Sequence, residues 1–220
     1  MLKTKMTNEP NLSLLVPTVG PRCRLLNRLL YSLENQIEAA ELTRKIEILL
    51  NWDDFQKTIG QKRNELLQAA TGRFVCFLDD DDMVHPKYCS LVNDVIETDD
   101  YDCIAYKKMR IGVSGQKHPN FHLCNRENPC DICLMPVRRH IAQQFEFPNI
   151  STFEDCTWGN KVQASGLLKR EYFIDKMMYV AYRNPELRLS GVRHKKKRNI
   201  EANENFDWEE RPLKGMAKWL

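Results

Sequence analysis

The stretch 74–82, FVCFLDDDD, decides the fold class of this 220-residue chain. Its short apolar half, bounded by polar residues, is typical of a buried strand in a parallel sheet. Its acidic half begins where that strand ends, and ligands of open α/β sheets bind beyond the carboxyl ends of the strands. Four carboxylates at this edge suit a hard divalent cation such as Mg²⁺ that also binds substrate phosphates. Taken alone, the same acids also fit a solvated turn.

Strands and helices alternate on both sides of this stretch. The order strand, helix, strand, helix, strand is that of a parallel sheet with right-handed crossovers. We expect an α/β fold: a single domain over residues 1–185 with a mostly parallel central sheet flanked by helices, followed by a basic tail at 186–220. Strands are predicted at 12–17, 46–51, 74–78, 102–107 and 173–182, helices at 23–40, 59–70, 85–98, 137–144 and 155–165, and loops or a hairpin at 109–129.

Composition indicates an ordinary globular protein, with 42% hydrophobic and 29% charged residues. A net charge of +3 is too small to imply a polyanionic partner by itself, although residues 193–198 form a basic cluster. No apolar run approaches the roughly 18 residues of a membrane span. Because the first ten residues are polar and unlike a signal peptide, we expect a cytoplasmic protein.

The eight cysteines favour a reducing compartment. Several of them, including Cys76 and Cys103, lie in apolar segments of the sequence, where a reduced cysteine behaves as a small hydrophobic residue. Cys130 and Cys133 form a CxxC pair, for which a structural zinc site is the alternative interpretation. No second CxxC follows, so the zinc signal is weak.

Four segments together resemble the motif series of glycosyltransferase family 2. They read LSLLVPTVGPR at 12–22, IEILLNWDD at 46–54, GQKRNELLQAATGRFVCFLDDDDMVHPKY at 60–88 and FEDCTWGNKV at 153–162. The resemblance implies the GT-A fold, which is Rossmann-like, and an inverting glycosyltransferase that uses a nucleotide-sugar donor. The short chain and the sequence IDKMMYVAYRNP at 174–185 are most similar to stand-alone members from tailed bacteriophages, and a phage-encoded protein would lie in the host cytoplasm.

The resemblance also implies which residues bind the donor, for which a UDP-sugar is favoured. The end of the first strand lines the base, an acid after the second strand reads the uracil or ribose, and basic residues meet the base or the phosphates. The chain departs from the family at NWDDFQ, where Gly-Ser usually follows the acid pair. The implied nucleotide-binding residues are Pro17, Thr18, Val19, Arg22, Asp53, Asp54, Lys62, Arg63, Asn64 and Arg183.

Within the acidic run, Asp79 and Asp81 match the Asp-x-Asp motif of the family. The resemblance implies that Asp81 binds Mn²⁺ or Mg²⁺ bridging the diphosphate, whereas Asp79 holds the ribose or a metal-bound water. The cation neutralises charge on the leaving diphosphate. A register shifted by one residue would bring Asp80 into the donor site instead.

Glu154 and Asp155 resemble the family's catalytic acid pair. Asp155 would remove the proton of the acceptor hydroxyl, and Glu154 is its partner. Without the resemblance, two acids at the start of a helix fit a favourable interaction with the helix dipole. Trp158, one turn further on, is a candidate for lining the acceptor pocket, although an aromatic residue at this spacing is more often part of the core.

The similarity to bacteriophage members of the family suggests two acceptors. One is a hydroxymethylated pyrimidine in DNA, and the alternative is a surface or lipid-linked saccharide. The basic tail favours DNA, with Lys195, Lys196 and Lys197 as candidate phosphate contacts. Two other function classes remain open: a nucleotidyltransferase, and a non-catalytic module that binds metal and nucleic acid.

Overall fold

The first half of the chain builds the parallel part of one sheet. The computed structural model describes residues 9–112 and 120–183. The elements of this first half are β1 (Leu12–Val19), α1 (Cys23–Ala39), β2 (Ile46–Asp53), α2 (Ile59–Ala69) and β3 (Phe74–Phe77). Strand β1 pairs in parallel with β2 over its whole length and with β3 on its other side. Helices α1 and α2 are the crossovers between these strands.

The second half extends this sheet with strands of both directions. Its elements are β4 (Met83–Val84), α3 (Tyr88–Thr98), β5 (Cys103–Gly112), β6 (Asn120–Cys124), β7 (Val137–Arg138), α4 (Arg139–Ala142), α5 (Glu154–Ala164) and β8 (Glu171–Arg183). The long pair β5–β8 is parallel, whereas the short strands β4, β6 and β7 pair antiparallel. Over the described residues the sheet order is β2-β1-β3-β7-β5-β8-β4, with β6 on β5.

Burial explains why β1 lies at the centre of the parallel part. All eight of its residues are buried, as expected for a strand that has neighbours on both edges and layers on both faces. Helix α1 buries one stripe formed by Leu26, Leu29, Leu33 and Ile37, which recurs at helical spacing. The result is a single α/β domain with a mostly parallel central sheet, as predicted.

Two predicted helices are shorter than expected because the sheet uses part of their sequence. Residues 83–84 pair with β8, and the His85 amide donates to the Met178 carbonyl at 3.0 Å, so α3 begins only at Tyr88. Val137 pairs with both Val75 and Cys103 and bridges β3 to β5, which leaves only α4 helical in that region.

A 3₁₀ helix, Pro129–Leu134, packs closely against α5 and fixes its position. A Cβ atom at Gly159 would lie 1.8 Å from the Pro129 carbonyl oxygen, so a glycine is required for this approach. A disulfide joins Cys130 to Cys156 across the same contact. The expectation of reduced cysteines is therefore wrong for this pair, and Cys130 cannot offer zinc a thiolate. The other six cysteines are free.

The predicted tail at 186–220 lies outside the described residues, and so does the connection 113–119 between β5 and β6. β5 and β6 themselves form the antiparallel arms of a hairpin, one of the two predictions for this region. None of the helices in the described ranges is long and apolar enough to cross a membrane.

Candidate functional site

The carboxyl ends of β1, β2 and β3 meet at one edge of the sheet. A 3₁₀ turn, Gly20–Arg22, follows β1, Asp53 ends β2, and the acids 79–82 follow β3 directly. The start of α5 contacts α2, whose basic residues lie next to this edge. The fold therefore brings most of the predicted site residues together.

The four consecutive aspartates divide into two buried and two accessible side chains. Asp80 is 1% exposed and accepts hydrogen bonds from Thr18 Oγ1 at 2.7 Å and Arg22 Nη1 at 2.6 Å. Asp82 accepts from the Tyr179 hydroxyl at 2.7 Å and from the Tyr182 amide at 2.8 Å. Burial raises the pKa of both carboxyl groups. These two acids anchor the loop and have little surface left for a ligand.

Asp79 and Asp81 keep contact with solvent, with 38% and 14% of their side chains exposed. Asp79 lies 3.2 Å from Arg63 Nη2, and Asp81 lies 3.2 Å from Arg22 Nη2. Burial raises the pKa of Asp81 to about 6, and the charges of Asp79 and Asp80 add to this effect while Arg22 opposes it. This alternation agrees with the register in which Asp79 and Asp81 face a ligand.

A divalent cation fits this pair only as part of a complex with its substrate. Among residues 9–112 and 120–183, no three His, Cys, Asp or Glu side chains are grouped so as to hold a metal. Asp79 and Asp81 supply two hard oxygen donors, and the remaining ligands would come from phosphates and water. Mg²⁺ is commonly bound in this way.

Arg63 connects the acidic loop to the start of α5. Its guanidinium lies 3.2 Å from Asp79, 3.5 Å from Glu154 and 3.1 Å from the sulfur of Cys133. The rings of Phe77 and Phe147 lie 5.1 and 5.7 Å from its central carbon. Because Arg63 is 4% exposed, it acts as a buried spacer between the two groups of acids.

Glu154 and Asp155 differ in accessibility. Glu154 is 4% exposed and faces Arg63, and burial raises the pKa of its carboxyl group, with Asp155 adding to the shift and Arg63 opposing it. Asp155 is partly exposed, and one of its oxygens accepts from the Cys156 amide at 2.8 Å. Phe153, which precedes the pair, has a left-handed φ of 62° and an exposed ring. Asp155 is thus the member of the pair that a substrate can reach.

The predicted base-binding residues form a buried layer beneath the site. Pro17, Thr18 and Val19 are all buried. Lys62 is 1% exposed, donates to the Thr18 carbonyl at 2.7 Å and forms an ion pair with Asp53. Burial alone would raise the pKa of Asp53, but hydrogen bonds from Lys62 and the Lys57 amide lower it.

Above this layer, three neighbouring groups remain accessible. Trp52 is 62% exposed, and Asp54 is exposed as well. A Cβ atom at Gly20 would lie 3.5 Å from the Trp52 ring and 3.6 Å from an Asp54 oxygen. This corner offers a ligand an aromatic face, a carboxylate and open backbone.

Two residues that were predicted to contact the donor or the acceptor contact other parts of the protein instead. Asn64 uses both ends of its amide on the Phe147 backbone, at 2.8 and 2.9 Å, and so fixes the segment before α5. Trp158, predicted to line the acceptor pocket, is instead a core residue, because it stacks on Phe147 and its Nε1 donates to the Phe145 carbonyl. Arg183 ends β8, whereas Lys195, Lys196 and Lys197 lie outside the described residues.

Three residues that support the site were not predicted. Arg28 donates to the carbonyl oxygens of Asp81 and Asp82 at 2.9 and 3.2 Å, and Tyr179 accepts from the Asp79 amide at 3.2 Å. Cys133, whose sulfur contacts Arg63, was considered in the sequence only as a member of the CxxC pair. The sequence shows Tyr179 only as a tyrosine within the apolar segment 173–182, and this does not reveal that it contacts the acidic loop.

The architecture is similar to solved structures of the Staphylococcus aureus protein TarS. The 1–349 fragment in complex with UDP-GlcNAc is 18% identical with a TM-score of 0.57, and the alignment covers 84% of this chain and 62% of that one. The fragment in complex with UDP gives 19% identity and a TM-score of 0.53, with 80% and 61% covered. Full TarS gives 18% and 0.55, with 80% and 37% covered. At this identity the likeness shows the fold alone, and the chain spans about three fifths of the fragment's length.

No curated protein matches the sequence, whereas a family model does. A family model described as glycosyl transferase family 2 matches residues 39–166, which is more than half of the chain and includes the acidic loop and the Glu154–Asp155 pair. The chain therefore belongs to glycosyl transferase family 2.

Proposed function

We propose that this chain transfers a sugar from a nucleotide diphosphate donor to an acceptor hydroxyl, with inversion at the anomeric carbon. The observation that carries the proposal is the arrangement around Arg63. This one buried guanidinium lies between an accessible acid of the donor loop, Asp79, and the pair that contains the accessible acid Asp155. A reaction between a metal-bound diphosphate and a hydroxyl needs acids in these two places.

The favoured donor is a UDP-sugar. TarS, which shares the fold, was crystallised with UDP-GlcNAc and with UDP. We place the nucleobase against Gly20, Trp52 and Asp54, because these groups are accessible while Pro17, Thr18 and Val19 are buried. Lys62 and Asn64 then act indirectly, by fixing the backbone beneath and beside the donor. Arg183 remains a candidate contact to the diphosphate.

The side chains divide the chemistry between them. Asp155 accepts the proton of the acceptor hydroxyl as its oxygen attacks the anomeric carbon from the face opposite the diphosphate. The bond between that carbon and the diphosphate oxygen breaks, and its electron pair leaves with the diphosphate. Bound at Asp79 and Asp81, Mn²⁺ or Mg²⁺ would supply Lewis-acid stabilisation of this leaving group. Glu154 stays paired with Arg63 and orients the start of α5.

We further propose that the acceptor is a hydroxymethylated pyrimidine of phage DNA, with the basic residues 193–198 as its phosphate contacts and the cytoplasm as the compartment. This proposal rests on the sequence. A saccharide is the second candidate, because the acids around Asp155 make this part of the site unattractive to a polyanion.

Incubation of the protein with radiolabelled sugar nucleotides and a panel of DNA and glycan acceptors tests the proposal. We expect sugar transfer from a UDP-sugar and no product from a nucleoside triphosphate. Incorporation from the triphosphate would instead indicate a nucleotidyltransferase. Turnover of no donor would indicate a binding module.

The DNA arm of this experiment has its own variant. Replacing Lys195, Lys196 and Lys197 by alanine should flatten the salt dependence of DNA binding by up to about three phosphate contacts. Alanine at the exposed residues Lys87, Lys169 and Lys176 removes the same charge and is the matched control. Equal DNA binding by both triple variants at every salt concentration, or no DNA binding at all, would assign the acceptor to saccharides.

A further inference from the structure

Arg22 contacts two acids at once, and only one of them belongs to the accessible pair. Its Nη1 donates to Asp80 Oδ1 at 2.6 Å, and its Nη2 lies 3.2 Å from Asp81 Oδ2. The other oxygen of Asp80 accepts from Thr18 Oγ1 at 2.7 Å. Asp80 and Thr18 are both buried, so they fix one side of the guanidinium while its other side is turned to Asp81.

In the absence of donor, Asp81 therefore already has a cationic partner. Asp81 is also the acid that the proposed function assigns to the divalent cation. The repulsion between two cations rises as their distance falls, and it is weakly screened where both groups are largely buried. A metal ion that reaches Asp81 alone must displace the Arg22 contact or bind beside a positive charge.

A diphosphate changes this balance. Arg22 ends the turn after β1, at the sheet edge where the acidic loop begins. A guanidinium fork pairs well with phosphate oxygens, so a diphosphate next to Asp79 and Asp81 offers Arg22 a second anionic partner. The anchor on Asp80 can be kept while the other side of the fork turns from Asp81 to the phosphates.

Building on the proposed function, we propose that Arg22 is an internal counter-cation, which occupies Asp81 without donor and moves to the diphosphate when the metal-bound donor arrives. Binding of the divalent cation then depends on the diphosphate. Linkage requires that UDP and the cation strengthen each other's binding by the same factor. Arg22 is in this sense a positioning residue that sets the order of assembly of the donor site.

Binding of Mn²⁺ without nucleotide, measured from the electron paramagnetic resonance signal of the free ion, tests this proposal. Arg22→Gln is expected to tighten Mn²⁺ binding about tenfold and to weaken the binding of UDP in the presence of Mn²⁺. The two effects have opposite signs because the substitution removes a competitor at Asp81 and a partner of the diphosphate. A merely structural role would weaken both.

Arg28→Gln is the matched control, since it removes the same charge beside the same loop. Within the described part of the chain, Arg28 donates to main-chain carbonyl oxygens of Asp81 and Asp82 and forms no ion pair with the Asp81 carboxylate, so its replacement should not tighten Mn²⁺ binding. Arg22→Gln leaves Asp80 buried without a cation and can therefore unfold. The double variant Arg22→Gln/Asp80→Asn removes both members of the buried pair, which costs less, and should also bind Mn²⁺ more tightly.

The outcomes separate this proposal from the proposed function. If both Arg22 variants fold and bind Mn²⁺ no more tightly than the wild type, the counter-cation role is overturned while metal-dependent transfer stands. If the wild-type protein binds no Mn²⁺ even with saturating UDP, the metal-dependent mechanism is overturned, and the counter-cation role with it.

Discussion

Replacement of Asp155 by asparagine is expected to lower kcat by about 10²–10⁴-fold, the usual contribution of a positioned general base. Asparagine has nearly the same shape and can still accept from the Cys156 amide, but it cannot take up a proton. The affinity for UDP should stay near the wild-type value, because Asp155 has no part in donor binding. Steady-state kinetics together with calorimetric titration of UDP give the two numbers.

Glu154→Gln is the control for this result. Glu154 is buried against Arg63, so its replacement should disturb the position of the pair without removing the base. We expect a smaller loss of kcat than in Asp155→Asn. If Glu154→Gln is the crippled variant and Asp155→Asn is active, the two roles are reversed.

Replacement of Asp81 by asparagine is expected to reduce transfer by about 10²–10³-fold or more and, unlike the change at Asp155, to weaken donor binding. The physical reason is the loss of one of the two accessible carboxylates of the acidic loop, the pair that would hold the cation under the diphosphate. EDTA should reproduce the loss in the wild-type protein.

Added Mn²⁺ or Mg²⁺ provides the control for metal removal. It should restore the EDTA-treated wild-type protein but not Asp81→Asn. Full activity of the wild-type protein in EDTA would remove the metal from the mechanism and leave Arg22, Arg28 and Arg63 as cations that contact the acidic loop.

The edge of the sheet could be predicted because its signals are local. The apolar run before Asp79 identifies a buried strand, and the alternation of strands and helices fixes a parallel order for β1, β2 and β3. The carboxyl ends of parallel strands lie at one edge, so the acids had to lie near the end of β1. The assignment of Asp79 and Asp81 to the Asp-x-Asp motif followed from the family resemblance.

The partners of the buried groups could not be predicted because they come from distant parts of the chain. Asp82 is held by Tyr179, 97 residues away, and Arg63 contacts Cys133, 70 residues away. Nothing in the sequence around Trp158 distinguishes a residue that lines a pocket from one that stacks on Phe147. Lys62 was expected to meet the donor because of its position in the family motif, whereas here Asp53 and the Thr18 carbonyl satisfy it in the interior.

The configuration of the product at the anomeric carbon tests the central claim most directly. Attack from the face opposite the diphosphate, with Asp155 as the base and no covalent intermediate on the protein, requires inversion. Proton NMR of the transfer product of a UDP-α-sugar should therefore show the anomeric coupling of a β-linkage. An α-linked product would contradict the account, because it would require either a second displacement or attack from the side of the leaving group.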